Sequence, residues 1–144
     1  LIVGDGARRE AIEEMASGLK NVTMLPMQPS ELATHIYSAA VVNIIPLVAG
    51  GTKTAMPSKT GVVLSCGQPV IFTFGKESSF ARMIETNGAG ISVDADDYRQ
   101  LANGITIFCG KFDYRNDNAY NTFKRYFLRS NNIEKYLGNV RQVL

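Results

Sequence analysis

Val41-Val42-Asn43-Ile44-Ile45-Pro46-Leu47 is a β-branched, apolar run that empties into Val48-Ala49-Gly50-Gly51-Thr52-Lys53-Thr54-Ala55-Met56, and the chain restarts at Pro57-Ser58-Lys59. This order predicts a strand, a glycine loop and a helix start. The helix is expected over residues 58–65, closes at Cys66-Gly67, and hands over to a second buried strand, Pro69-Val70-Ile71-Phe72-Thr73-Phe74. Proline just inside a helix and glycine just past its end is the usual asymmetry of helix termini. The chemistry of the stretch favours anions. Gly50 and Gly51 let the backbone approach a ligand closely, and the first turn after Met56 offers unpaired N–H groups at the positive end of the helix dipole. Lys53 and Lys59 add two charges. A phosphate or diphosphate suits those donors; a surface loop with a well-started helix has the same spacing.

Outward from this stretch, apolar runs alternate with helical patterns. Leu1-Ile2-Val3-Gly4 reads as a short strand that Gly4-Asp5-Gly6 turns into a helix with Ile12, Met15, Ala16 and Leu19 on one stripe. Val22-Thr23-Met24-Leu25 is the next strand, stopped by Pro26, and Ser30 is expected to cap a helix carrying Leu32, Ala33, Ile36 and Ala40. Beyond residue 74, a helix begins at Ser78 or Ser79 and closes at Gly88-Ala89-Gly90. A strand over residues 91–93 follows, then a helix capped by Asp94 or Asp96. After Gly110 the pattern is helical only, with Tyr120, Phe123 and Phe127 on one stripe and Ile133, Leu137, Val140 and Leu144 on another. The alternation predicts an α/β fold of Rossmann-like type, a parallel sheet flanked by helices, with C-terminal helices added.

With 144 residues, 45% of them hydrophobic and 19% charged, the chain has the makeup of a single α/β domain, and no apolar run approaches the ~18 residues of a membrane span. Residues 111–144 hold 7 Lys/Arg against 3 Asp/Glu, while residues 1–110 hold 8 against 10, so the tail is basic. Such a tail suits an acidic partner, a phosphate or a membrane surface, and equally a solvated face. Cys66 and Cys109 lack metal-ligand spacing and fit a reducing compartment. A single histidine, His35, disfavours most metal and Ser-His chemistries. Gly4-x-Gly6 invites a dinucleotide reading, but Arg9 stands where the third glycine belongs.

Taken together, Leu1-Ile2-Val3-Gly4-Asp5-Gly6, Lys20-Asn21-Val22-Thr23-Met24-Leu25, Ser30-Glu31-Leu32 and Gly67-Gln68-Pro69-Val70-Ile71 resemble the donor-binding, C-terminal half of GT-B glycosyltransferases of group 1. Met56-Pro57-Ser58-Lys59-Thr60 with Cys66-Gly67 is similar to the branch that builds capsular and lipopolysaccharide sugars. The resemblance implies a hexosyltransferase-type enzyme that takes a sugar from a nucleotide-sugar donor. Gly50, Gly51 and Lys53 would lie along the sugar and diphosphate, Ser58 and Lys59 would meet phosphate oxygens, and Leu25 to Met27 would lie beside the base. It implies neither metal nor cofactor, since amides, helix dipole and Lys can stabilise the departing diphosphate. It singles out no catalytic residue here. It also implies a cytoplasmic protein, peripheral to the inner face of the membrane through its intact form, with no nucleic-acid partner.

The chain departs from the family pattern in two respects. The family's ribose-binding glutamate, five residues before the glycine, is Val62 here, and the partner acidic position is Thr54. The family also opens with one more strand and helix, and in a 3-2-1-4-5-6 order that strand lies in mid-sheet. Residues 1–144 are therefore expected to be a single nucleotide-sugar-binding domain cut from a longer protein, without its first strand or its N-terminal acceptor domain. The alternative is a non-catalytic glycosyltransferase-like binding or interaction module, which Val62 and Thr54 favour.

Overall fold

The computed structural model describes residues 1–47, 56–73, 78–110 and 117–143. They form two compact units, Leu1–His35 and Ile36–Leu144. All strand pairing is parallel, in one sheet of two strands and one of three.

The first unit contains β1 (Ile2–Val3), α1 (Arg9–Ala16) and β2 (Met24–Leu25), followed by a 3-10 turn over Ser30–Leu32. β1 and β2 pair with Ile2 opposite Met24 and Val3 opposite Leu25. The Arg9 guanidinium donates to the carbonyls of Gly4 and Leu25 and pairs with Glu13 at 2.6 Å, so it braces the carboxyl ends of both strands. The residue that spoils the dinucleotide fingerprint is thus a structural strut. Ser30 does not cap as expected: Pro29 occupies the cap position and no side chain accepts there. Nor are these strands buried as their apolar character predicts; no side chain of the unit is fully enclosed. Two two-residue strands and one eight-residue helix have too little apolar area to surround a core.

The second unit has the core. α2 (Ala33–Ala39) leads across the boundary into β3 (Asn43–Ile45). Then come α3 (Lys59–Ser65), β4 (Val70–Phe72), α4 (Ser79–Thr86), β5 (Gly90–Ser92), α5 (Tyr98–Cys109), α6 (Asp117–Tyr126) and α7 (Arg129–Val143). The sheet order is β3-β4-β5. β4 is central, and all three of its residues are fully buried, as a strand covered on both faces must be. Val70 and Phe72 face a cluster of Val63 and Leu64 from α3, Phe80, Ala81 and Ile84 from α4, and Ala119 from α6. Phe72 meets Phe80 edge-on at 5.5 Å, and Phe80 meets Phe127 edge-on at 6.3 Å. On the other face Ile71 and Ile91 reach α5 at Gly104, where an added Cβ would lie 2.9 Å from Ile91 Cδ1.

Local signals explain the element ends. The Ser78 hydroxyl accepts from the Phe80 N–H and starts α4, and Gly88 ends it with φ +65°, a conformation that favours glycine. Asp97, rather than Asp94 or Asp96, caps α5. The Gln100 backbone N–H, then its side-chain amide, then the Arg99 N–H hold the Asp97 carboxyl below its usual range. Gly61, in the middle of α3, makes room for Phe127, whose Cδ1 would lie 3.1 Å from an added Cβ.

Candidate functional site

The expected site begins where β3 ends. Past Ile45 the chain is tied to β4 by one side chain: the Thr73 hydroxyl accepts from Leu47 N–H at 2.9 Å and donates to Leu47 O at 3.1 Å. This clamp extends the β3–β4 contact beyond the regular ladder as far as Leu47. Gly50, Gly51, Lys53 and Thr54 lie outside the described residues. The chain re-enters at Met56 and Pro57, and α3 starts one residue later than expected, with Ser58 at its cap position. Thr60 N–H bonds to Pro57 O at 3.0 Å.

Ser58 and Lys59 are both exposed, and among the described residues neither side chain has a hydrogen-bond or ion-pair partner. A free hydroxyl and a free ammonium therefore sit side by side at the carboxyl end of a parallel sheet, where ligands of open α/β sheets bind. Val62 is 41% exposed. It follows Ser58 by four residues and Lys59 by three, so it shares their helix face. Leu25 is the last residue of β2, and Met27, just past Pro26, is 67% exposed. Ser58 and Lys59 belong to the second unit, Leu25 and Met27 to the first.

Two features went unread in the sequence. Thr60, one residue into α3, is fully buried, and its hydroxyl has no partner. A threonine beside an exposed serine and lysine reads as surface, so nothing in the pattern signals its burial. An unpaired buried hydroxyl is costly, and Thr60→Val keeps the shape and the β-branch while removing it. We expect that substitution to raise stability by about 1 kcal/mol in a urea titration; a loss of stability would mean that the hydroxyl has a partner. The second feature is an open groove of about 370 Å³ along the outer edge of β5, lined by Glu85, Ser92, Gln100, Asn103, Gly104 and Ile107 among others. There Glu85 Oε1 accepts from the Ser92 N–H at 2.7 Å.

No helix among the described residues is long and apolar enough to cross a membrane. Comparison with known proteins adds one positive finding: the family model for glycosyl transferases of group 1 matches residues 1–117. No curated protein and no solved structure matches the chain. The family match spans both sheets, the β3-to-α3 crossover and α5, and it agrees with an α/β architecture of parallel strands flanked by helices, as in one half of a GT-B fold. It gives the chain a role in glycosyl transfer. On that match and this architecture, the chain belongs to the group 1 glycosyl transferases.

Proposed function

We propose that the chain is the donor-binding half of a hexosyltransferase that takes a sugar from a nucleotide-sugar and serves surface polysaccharide synthesis, in the capsular and lipopolysaccharide branch. The observation that carries this reading is the unpartnered pair Ser58 and Lys59 on the exposed start of α3, within the segment 56–60 that resembles that branch. In the reaction the bond from the sugar's anomeric carbon to the diphosphate oxygen breaks, a bond to an acceptor hydroxyl oxygen forms, and that hydroxyl's proton is released with the nucleoside diphosphate. Lys59, the Ser58 hydroxyl and, in the same role, Gly50, Gly51 and Lys53 hold the diphosphate as its negative charge grows. Leu25 and Met27 flank the base. The active protein, on this reading, is longer and includes an acceptor-binding half and one further strand. In support, β1 pairs only with β2 and β3 only with β4 among the described residues, so each has an edge for another strand. The longer protein works in the cytoplasm at the inner face of the membrane.

The test is calorimetric titration of uridine, guanosine, adenosine and cytidine diphosphates into the protein. One of them should bind, and Lys59→Ala should weaken it by about ten- to a hundredfold, the weight of a hydrogen bond to a charged group. Val62→Glu, on the same helix face, should tighten binding by restoring a carboxylate acceptor for ribose. The exposed Val62 also favours a second reading, a glycosyltransferase-like module that binds a protein partner instead of a nucleotide. No heat with any of the four up to millimolar concentration, or binding indifferent to Lys59, selects that second reading.

A further inference from the structure

α5 turns a polar face toward the outer edge of β5. Gln100, Asn103, Gly104 and Ile107 recur at i, i+3, i+4 and i+7, so they follow one another along ~10 Å of the helix axis and form one wall of the open groove of about 370 Å³. Glu85 from α4 and Ser92 on β5 line the other side. The volume lies within the ~300–1,000 Å³ of small-molecule sites, and the open side leaves room for a chain that continues past the groove.

The polar groups of the groove are held in place before any ligand arrives. Gln100 Nε2 donates to Asp94 Oδ2 at 2.9 Å and to Asp97 Oδ2 at 2.8 Å, so both amide hydrogens are used and the amide oxygen remains as an acceptor of set direction. Glu85 Oε1 is taken by the Ser92 N–H at 2.7 Å, which leaves Oε2 as a second such acceptor. The Asn103 amide has no partner among the described residues and brings donors as well as an acceptor. Gly104 has no side chain to obstruct the floor, and Ile107, 54% exposed, adds an aliphatic surface. No lysine or arginine lines the groove. Planar acceptors beside an apolar patch, without a cation, match a ligand rich in hydroxyl donors that has a C–H face and no negative charge. We propose that the groove is a saccharide-binding subsite, in which Glu85, Gln100 and Asn103 hold the hydroxyls of a neutral oligosaccharide while one of its rings lies against Ile107. The subsite rests on the role of the chain in glycosyl transfer, which brings sugar chains to it, and shares no residue with the α3 start. Such hydroxyl bonds replace bonds to water at little net gain, so affinity is in the millimolar range. The subsite retains a sugar chain effectively only while another part of that same molecule is bound elsewhere on the protein.

Titration of the protein with maltotriose, cellotriose and triacetylchitotriose, followed by proton–nitrogen NMR, tests this, with a lysine tetrapeptide as the cationic alternative. At least one trisaccharide should shift the Asn103 side-chain amide and the Ser92 and Gly104 N–H signals together. Asn103→Ala, an exposed change that leaves the fold intact, should weaken that binding roughly two- to tenfold, the weight of a neutral hydrogen bond. Lys59→Ala should leave the saccharide shifts as they are, so a failure here and a failure of the nucleotide reading are told apart. The proposal is overturned by shifts that miss those three residues, by binding indifferent to Asn103→Ala, or by no shift with any trisaccharide up to ~20 mM. A lysine tetrapeptide that moves these signals where the sugars do not overturns it as well.

Discussion

Replacing Gly90 by Ala should destabilise the protein by about 3 kcal/mol or more, although it adds one methyl group. Gly90 opens β5 directly opposite Val70 of the central strand. An added Cβ would strike the Val70 carbonyl oxygen, with Val70 Cγ2 at 2.8 Å and the carbonyl carbon at 3.0 Å. A side chain could rotate away; a carbonyl in a strand ladder cannot, so β5 itself must retreat from β4. The same change at Gly138, on α7, meets nothing within 4 Å and removes a helix-weakening glycine, so Gly138→Ala should stabilise slightly. Urea titrations of the two variants check this contrast. A Gly90→Ala midpoint within error of wild type would mean that the sheet is looser at this edge than its geometry implies.

Phe72→Ala should cost about 3 to 5 kcal/mol, a large share of what a domain of this size has. Phe72 is fully buried at the end of β4 and begins an aromatic relay, Phe72 to Phe80 to Phe127, that joins the sheet to α4 and to the end of α6. Truncation leaves a cavity where three elements meet, and the rings around it cannot close in without giving up their edge-on contacts. Phe72→Leu, which keeps most of the volume, should cost less than ~1.5 kcal/mol. Thermal unfolding followed by near-UV circular dichroism would separate the two. Equal losses would show that the ring geometry, rather than the filled volume, is what matters.

How much of this was legible beforehand depended on whether the relevant physics is local. The β4 strand announced itself by an uninterrupted apolar run, and full burial followed. Ser78 and Gly88 were readable because a cap or a positive-φ turn needs a particular residue type at a particular place. Strand pairing is non-local, so periodicity predicted parallel strands correctly yet said nothing of their division into a pair and a triple. Gly61, a poor helix former by local propensity, is the seat of Phe127, a partner more than sixty residues away that no local pattern signals. Among the tail aromatics, Phe123 and Phe127 pack against the core, whereas Tyr120 stays 47% exposed under the Lys124 ammonium. At the candidate site, Ser58 and Lys59 stood out as polar groups at a helix start. The burial of Thr60 between them and the core depends on α3 packing that a single helical turn does not encode.

The Glu85 contact with Ser92 has a consequence for the behaviour of the protein in crowded solution. β5 is the last strand of its sheet among the described residues, and the outward N–H of an edge strand is the group that a foreign strand would capture first. Here that N–H is already held by a carboxylate. An incoming strand would have to evict a charged side chain and then lie beside it, in a position where its own carbonyl oxygens meet negative charge. The edge is therefore guarded against templated cross-β growth by a single residue, placed there by the last turn of the helix that precedes the strand.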